Sequence, residues 1–200
     1  MRGYSFFALI SRMKNIARWS LMRNNASENV QEHSHMVAVV AHALAVIRRD
    51  VFGGEADPGQ VASAALYHDA SEIFTGDLPT PIKYHDPDIM QAYKRVEAVA
   101  SAKLLSALPE ELRPAYEPLL SNDDSISGKA VSELVKAADT LTAYIKCLDE
   151  IKTGNLEFRQ AARQSLKKLE ALGVPETGYF IERFIPAFDL SLDEMDLTFD

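Results

Sequence analysis

Cysteine is almost absent from this 200-residue chain, with Cys147 standing alone. Neither an intrachain disulfide nor a cysteine cluster for zinc can form, and a reducing cytoplasm fits best. Basic charge is also scarce: 21 Lys and Arg oppose 29 Asp and Glu, giving a net charge of −8. That balance argues against the broad positive surface a nucleic-acid polymer requires. No stretch approaches the roughly 20 apolar residues needed to cross a bilayer. The apolar run Tyr4 to Ile10 is short, is followed by Arg12 and Lys14, and lacks a small-residue cleavage site, so it does not read as a secretory signal. An interfacial membrane helix there is the rarer alternative to a helix packing its stripe into a core. Sustained alternation of apolar and polar residues, the mark of a half-buried strand, is missing as well. No repeat, low-complexity run or linker divides the chain. Its length suits one domain that buries about 70 % of the surface its unfolded form exposes.

What is present is helical periodicity, and an all-α fold follows. A first helix is expected from Ser5 to Ile16, with Phe6, Leu9, Ile10, Met13 and Ile16 on one stripe. Asn29 with Glu32 three residues on marks the start of a second, apolar all round from Met36 to Ile47 and therefore central. After Gly53-Gly54 a third helix is expected from Pro58 to Phe74. Pro79 and Pro81 forbid continued helix and make the segment from Gly76 to Pro81 a rigid loop. Further helices are expected over Asp88 to Leu108, Glu110 to Leu120, Val131 to Ile151, Leu156 to Leu172 and Tyr179 to Phe184, with a polar loop from Ser121 to Lys129. The acidic tail from Asp189 to Asp200 is expected either to lack order in part or to dock through Leu190, Leu192 and Met195.

Three helical segments carry residues able to bind one divalent cation: His33, the adjacent pair His68-Asp69, and Asp139. Each also has a plainer reading. His33 stands where a polar loop turns into the apolar run, a place where histidine is usually a boundary residue. His68 and Asp69 point about 100° apart on a helix and can share an ion only in a groove between helices. Small neighbours Ala64, Ala65 and Ala70 permit such close packing, and an unpaired buried carboxylate there would be costly. Asp139 lies at the border of the stripe Val131, Leu134, Val135, Ala138, Leu141 and Ile145, which allows a cleft wall or a solvated surface equally. His42, inside the apolar helix, reads as a hydrogen-bonded core residue, and His85, beside two prolines, as exposed. Glu72 follows His68 by four positions and Asp69 by three, which turns it toward the same groove as a candidate general acid or base. Arg18 has the fork geometry for a phosphate, and Trp19, the only tryptophan, reads first as core.

These residues sit in blocks that match a known pattern. They are Ile16-Ala17-Arg18-Trp19, Glu28 through Ser34, Tyr67-His68-Asp69-Ala70-Ser71-Glu72, Thr75 through Tyr84, and Ala138-Asp139-Thr140-Leu141. In this order they resemble the metal signature of the HD-domain phosphohydrolase superfamily, and more closely the bacterial 5'-deoxynucleotidases within it, over nearly the whole chain. The resemblance implies a compact helical HD-domain bundle spanning residues 1–200 as a single domain. It implies one divalent cation, with manganese, cobalt, iron and zinc all compatible, held by His33, His68, Asp69 and Asp139. Glu72, Arg18 and Asp69 would be catalytic. Arg18, Trp19, Asp69, Asp77, Leu78, Pro79, Thr80 and Asp139 would contact a deoxyribonucleoside 5'-monophosphate, with Trp19 crowding the 2' position of the sugar. A second metal is not expected, since His85 is the only histidine after the HD pair. A homodimer is also implied.

Two alternatives stand beside this reading. Another HD hydrolase acting on longer phosphate chains would need more positive charge than Arg18, Arg23 and Lys83 provide. A non-catalytic helical binding module would close its metal shell with protein ligands and exclude water.

Overall fold

The computed structural model describes residues 3–79, 86–121 and 126–195. Helix α1 (Phe6–Ile10) is short, and the chain tightens into a 3-10 turn at Met13–Asn15 instead of continuing as one helix to Ile16. It then runs extended. Arg18 N–H donates to Glu28 O at 2.9 Å and Val30 N–H to Ile16 O at 3.0 Å, a bridge that fastens the segment carrying Arg18 and Trp19 beside the start of α2 (Val30–Asp50).

Helix α2 begins where the sequence places it. The Asn29 side chain accepts from Glu32 N–H and the Glu32 carboxylate accepts from Asn29 N–H, so two N–H groups the first turn would leave orphaned are satisfied. Its buried face includes His33, Val37, Val40, Ala41, Leu44 and Ile47. The opposite face is open to solvent at His35, Val39 and His42, so α2 is central on one side only and His42 is not a core residue.

Helix α3 (Pro58–Tyr67) takes Pro58 in its first turn after an Asp57 cap and packs along α2. It ends seven residues short of Phe74. Residues 68–71 are turns, with Ala70 N–H bonded to Tyr67 O and Glu72 N–H to Asp69 O, and a short α4 (Glu72–Thr75) follows. Gly76, at φ 70°, turns the chain out of α4 into the Asp77–Pro79 loop.

Helices α5 (Pro87–Ser106) and α6 (Arg113–Leu120) pack against one another, α6 carrying Pro118 without breaking. The long α7 (Ile126–Lys152) starts within the expected polar loop and lies against α2, α3 and α8 (Arg159–Leu172). Helix α9 (Pro175–Arg183) closes on α2, where Arg48 grips Glu176 at 2.7 Å and Glu133 of α7 at 2.9 Å. The main core gathers Val37, Leu44, Leu134, Leu141, Leu169 and Phe180 from four helices. A second cluster around Phe6, Ala70, Leu104 and Leu108 anchors the turn after α3, and a third around Cys147 and Phe158 receives Trp19. The tail's Leu192 is 70 % exposed, so it is not docked by that side chain; Lys152 Nζ instead holds the carbonyls of Phe188 and Leu190. Among the described residues no helix is long and apolar enough to cross a membrane.

Candidate metal and nucleotide site

The break at the end of α3 shapes the site. His68 Nδ1 lies 2.7 Å from Ala65 O. A carbonyl only accepts, so Nδ1 carries a proton and Nε2 is the nitrogen turned inward. That nitrogen is buried and lies 3.1 Å from Asp69 Oδ2. An imidazole anchored on a backbone carbonyl through one nitrogen suits a metal ligand once the inward nitrogen gives up its proton. His33, fully buried on α2, brings Nε2 to 3.0 Å from Asp139 Oδ1 and 3.8 Å from Asp69 Oδ2. The ligand atoms of His33, His68 and Asp139 lie within 4.8 Å of one another. The fourth expected ligand, Asp69, faces both imidazoles but also accepts from Arg18 Nη1 at 3.3 Å.

Electrostatics bind the cluster together. Burial pushes the His68 pKa down, but the neighbouring Asp69 and Asp139 charges outweigh it and raise it to about 9. Burial works against both carboxylates too, yet His68 holds Asp69 at about 2, and His33 with His68 and Arg18 holds Asp139 well below the usual carboxylate range. The mixed nitrogen and oxygen set fits a divalent cation, whose charge would take the place of the imidazole protons that the two carboxylates attract.

Arg18 is buried against this cluster. Burial lowers its pKa, and Asp69, Asp139, Glu28 and Asp77 together outweigh that and raise it, so Asp77 falls within electrostatic reach of the guanidinium. Trp19 occupies the left-handed region at φ 57°, rare for a bulky side chain, and packs its ring in a tilted contact on Phe158, with the centroids 5.2 Å apart. Glu72 is buried at the start of α4. Leu78 and Pro79 are half-buried in the loop beyond Gly76, while Thr80, together with Lys83 and His85, lies outside the described residues. Arg23 points away, 97 % exposed and paired with Glu157. A cavity of about 350 Å³ adjoins His68 and Asp139, with Lys136 and Lys168 among its lining residues. Neither lysine is marked for the site by the sequence, and nor is Glu28, whose carboxylate accepts from Arg18 and Trp19.

The family model described as 5'-deoxynucleotidase YfbR-like matches residues 5–188. The chain belongs to that family. It is 51 % identical over 198 residues to a 5'-deoxynucleotidase of Vibrio atlanticus, covering 98 % of this chain and 100 % of the relative. A 5'-deoxynucleotidase of Erwinia tasmaniensis is also 51 % identical, over 190 residues and 95 % of each chain. Among solved structures, an HD-domain phosphohydrolase from Listeria innocua superposes with a TM-score of 0.76 at 26 % identity, covering 92 % of this chain and 88 % of the other. A cyanophage S-2L HD phosphohydrolase, bound to dA and one catalytic Zn2+ ion, shares the fold with a TM-score of 0.62 at 18 % identity over 90 % and 95 % of the two chains. The expected all-α HD-domain bundle is the observed fold.

Proposed function

We propose that the protein is a cytoplasmic, metal-dependent 5'-deoxynucleotidase that hydrolyses deoxyribonucleoside 5'-monophosphates to deoxyribonucleosides and phosphate. The observation that carries this reading is the convergence of His33, His68 and Asp139 on one point, with Arg18 reaching the same cluster through Asp69. His33, His68, Asp69 and Asp139 would hold the cation. When bound, it supplies Lewis-acid polarisation of the phosphate and makes water a stronger acid.

The chain's own residues do the rest. Arg18 grips the phosphate, where its planar fork matches two oxygens at once and its fixed charge offsets theirs. Water attacks phosphorus, the bond from phosphorus to the 5' oxygen breaks, and the leaving oxygen takes up a proton. Glu72, buried at the start of α4, carries that proton or orients the water. Trp19 walls the sugar at its 2' carbon, Asp77 accepts a sugar hydroxyl, and Leu78, Pro79 and Thr80 are assigned to further contacts with the nucleotide. The exposed stripe Ile89, Val96 and Val99 on α5 supports a homodimer, which sedimentation of the native chain and a Val99→Glu variant would check.

The test is phosphate release from a panel of deoxyribo- and ribonucleoside mono-, di- and triphosphates, with manganese, cobalt, iron or zinc added singly and with a chelator. Orthophosphate from deoxyribonucleoside monophosphates, abolished by chelation, is expected. Preferential turnover of triphosphates, or full activity in the chelator, would refute the reading.

A further inference from the structure

Glu28 Oε2 is 3.1 Å from Arg18 Nε and 3.0 Å from Trp19 Nε1. One oxygen thus receives both side chains that the proposed function assigns to phosphate and sugar. We infer that Glu28 is a positioning residue that sets the phosphate grip and the deoxyribose wall in fixed register; this rests on the roles given to Arg18 and Trp19 above.

Three observations support it. The Glu28 side chain is 15 % exposed and that of Arg18 12 %, so their ion pair is shielded from water, where charge-assisted hydrogen bonds are strongest. The same two residues are joined through the backbone, Arg18 N–H donating to Glu28 O, so the carboxylate starts from a fixed base. Finally, Trp19 holds a left-handed backbone conformation that is strained for a bulky residue and persists only where several contacts enforce it. Those contacts are the Glu28 hydrogen bond, the packing on Phe158, and Asn24 Nδ2 donating to Trp19 O. Asp69 binds the opposite side of the guanidinium through Nη1. Arg18 is therefore suspended between the metal cluster and Glu28, and movement of the indole is transmitted to it through a single atom.

Trp19 is the only tryptophan, so its fluorescence reports the clamp without reference to catalysis. The experiment compares the wild type with Glu28→Ala and Glu28→Gln, the second keeping the length and an acceptor oxygen and losing the charge. Acrylamide quenching of Trp19, thermal midpoint, and kcat and KM on deoxyribo- and ribonucleoside monophosphates are measured for each. Glu28→Ala is expected to expose the indole to quencher, to raise KM for the deoxyribonucleotide about tenfold, as loss of one charge-assisted hydrogen bond implies, and to narrow the preference for deoxyribose. Glu28→Gln is expected to restore most of the quenching protection and part of the preference. Unchanged quenching and unchanged selectivity in Glu28→Ala would overturn the inference; should that variant fail to fold, wild-type quenching and KM in Glu28→Ala's companion Glu28→Gln would support a hydrogen-bonding clamp, and full loss of selectivity with protected indole would overturn it. A Trp19→Ala control separates the two readings. If it leaves sugar preference intact, the assignment of Trp19 as the sugar wall fails, and quenching alone then decides whether Glu28 holds the indole.

Discussion

His33 Nε2 meets Asp139 Oδ1 at 3.0 Å across 106 positions of sequence, the contact that ties α2 to α7 at the candidate metal site. Because His33 is fully buried, the two helices present these side-chain atoms as one unit. Asp139→Ala is expected to fold and to lose bound metal by more than the about 100-fold that follows removal of a ligand's outer hydrogen-bond partner. Elemental analysis of the purified variant checks this, and stoichiometric metal in it would remove Asp139 from the ligand set.

Glu72→Ala is expected to fail differently. Metal content should match the wild type while kcat falls by about 100-fold to 10,000-fold, the usual contribution of a positioned acid or base. A variant with normal kcat would leave Glu72 as a structural carboxylate.

Trp19→Ala should relax discrimination at the 2' position, raising kcat/KM for ribonucleotides relative to deoxyribonucleotides by about tenfold, within what one contact against an added hydroxyl can supply. Competition between the two sugars in one reaction measures the ratio directly.

The loop after Trp19 is fastened by Glu150, which accepts from Asn25 N–H, Ala26 N–H, the Asn155 amide and Lys146. Burial alone would raise its pKa, and these hydrogen bonds, led by Lys146, hold it at about 2 against an ordinary 4.5. A carboxyl depressed by folding contributes stability that is complete above about 4.5 and is lost as pH falls toward about 2. The thermal midpoint of the wild type should therefore drop through that window more steeply than that of Glu150→Gln. At pH 7 the variant leaves the buried Lys146 without its counter-charge, a loss of about 3–5 kcal/mol. Parallel pH profiles would refute the assignment.

Features encoded within a few residues were legible in the sequence. The Asn29–Glu32 capping box fixes the start of α2 to the residue, because both partners lie in one turn. The end of α3 was not, since Ala64 to Ala70 contains neither glycine nor proline. The turn there tightens into bonds spanning three residues, and the Ala65 carbonyl takes the His68 ring, arrangements that answer to packing around Ala70 and to the site. Asp139 sat on the border of its stripe, and only the placement of α7 against α2 turns it inward toward His33. Glu28 gave no signal beyond its presence in a matched block, because its partners lie nine and ten positions back across an extended bridge that no periodicity announces.

Cys147 is fully enclosed, and burial pushes its thiol up to about 12. Alkylating and maleimide reagents react through the thiolate, so the native chain offers them almost nothing. A cysteine placed at an exposed position would thus be the sole handle for a dye or spin label, and distances across the nucleotide cleft could be followed without first deleting the natural thiol.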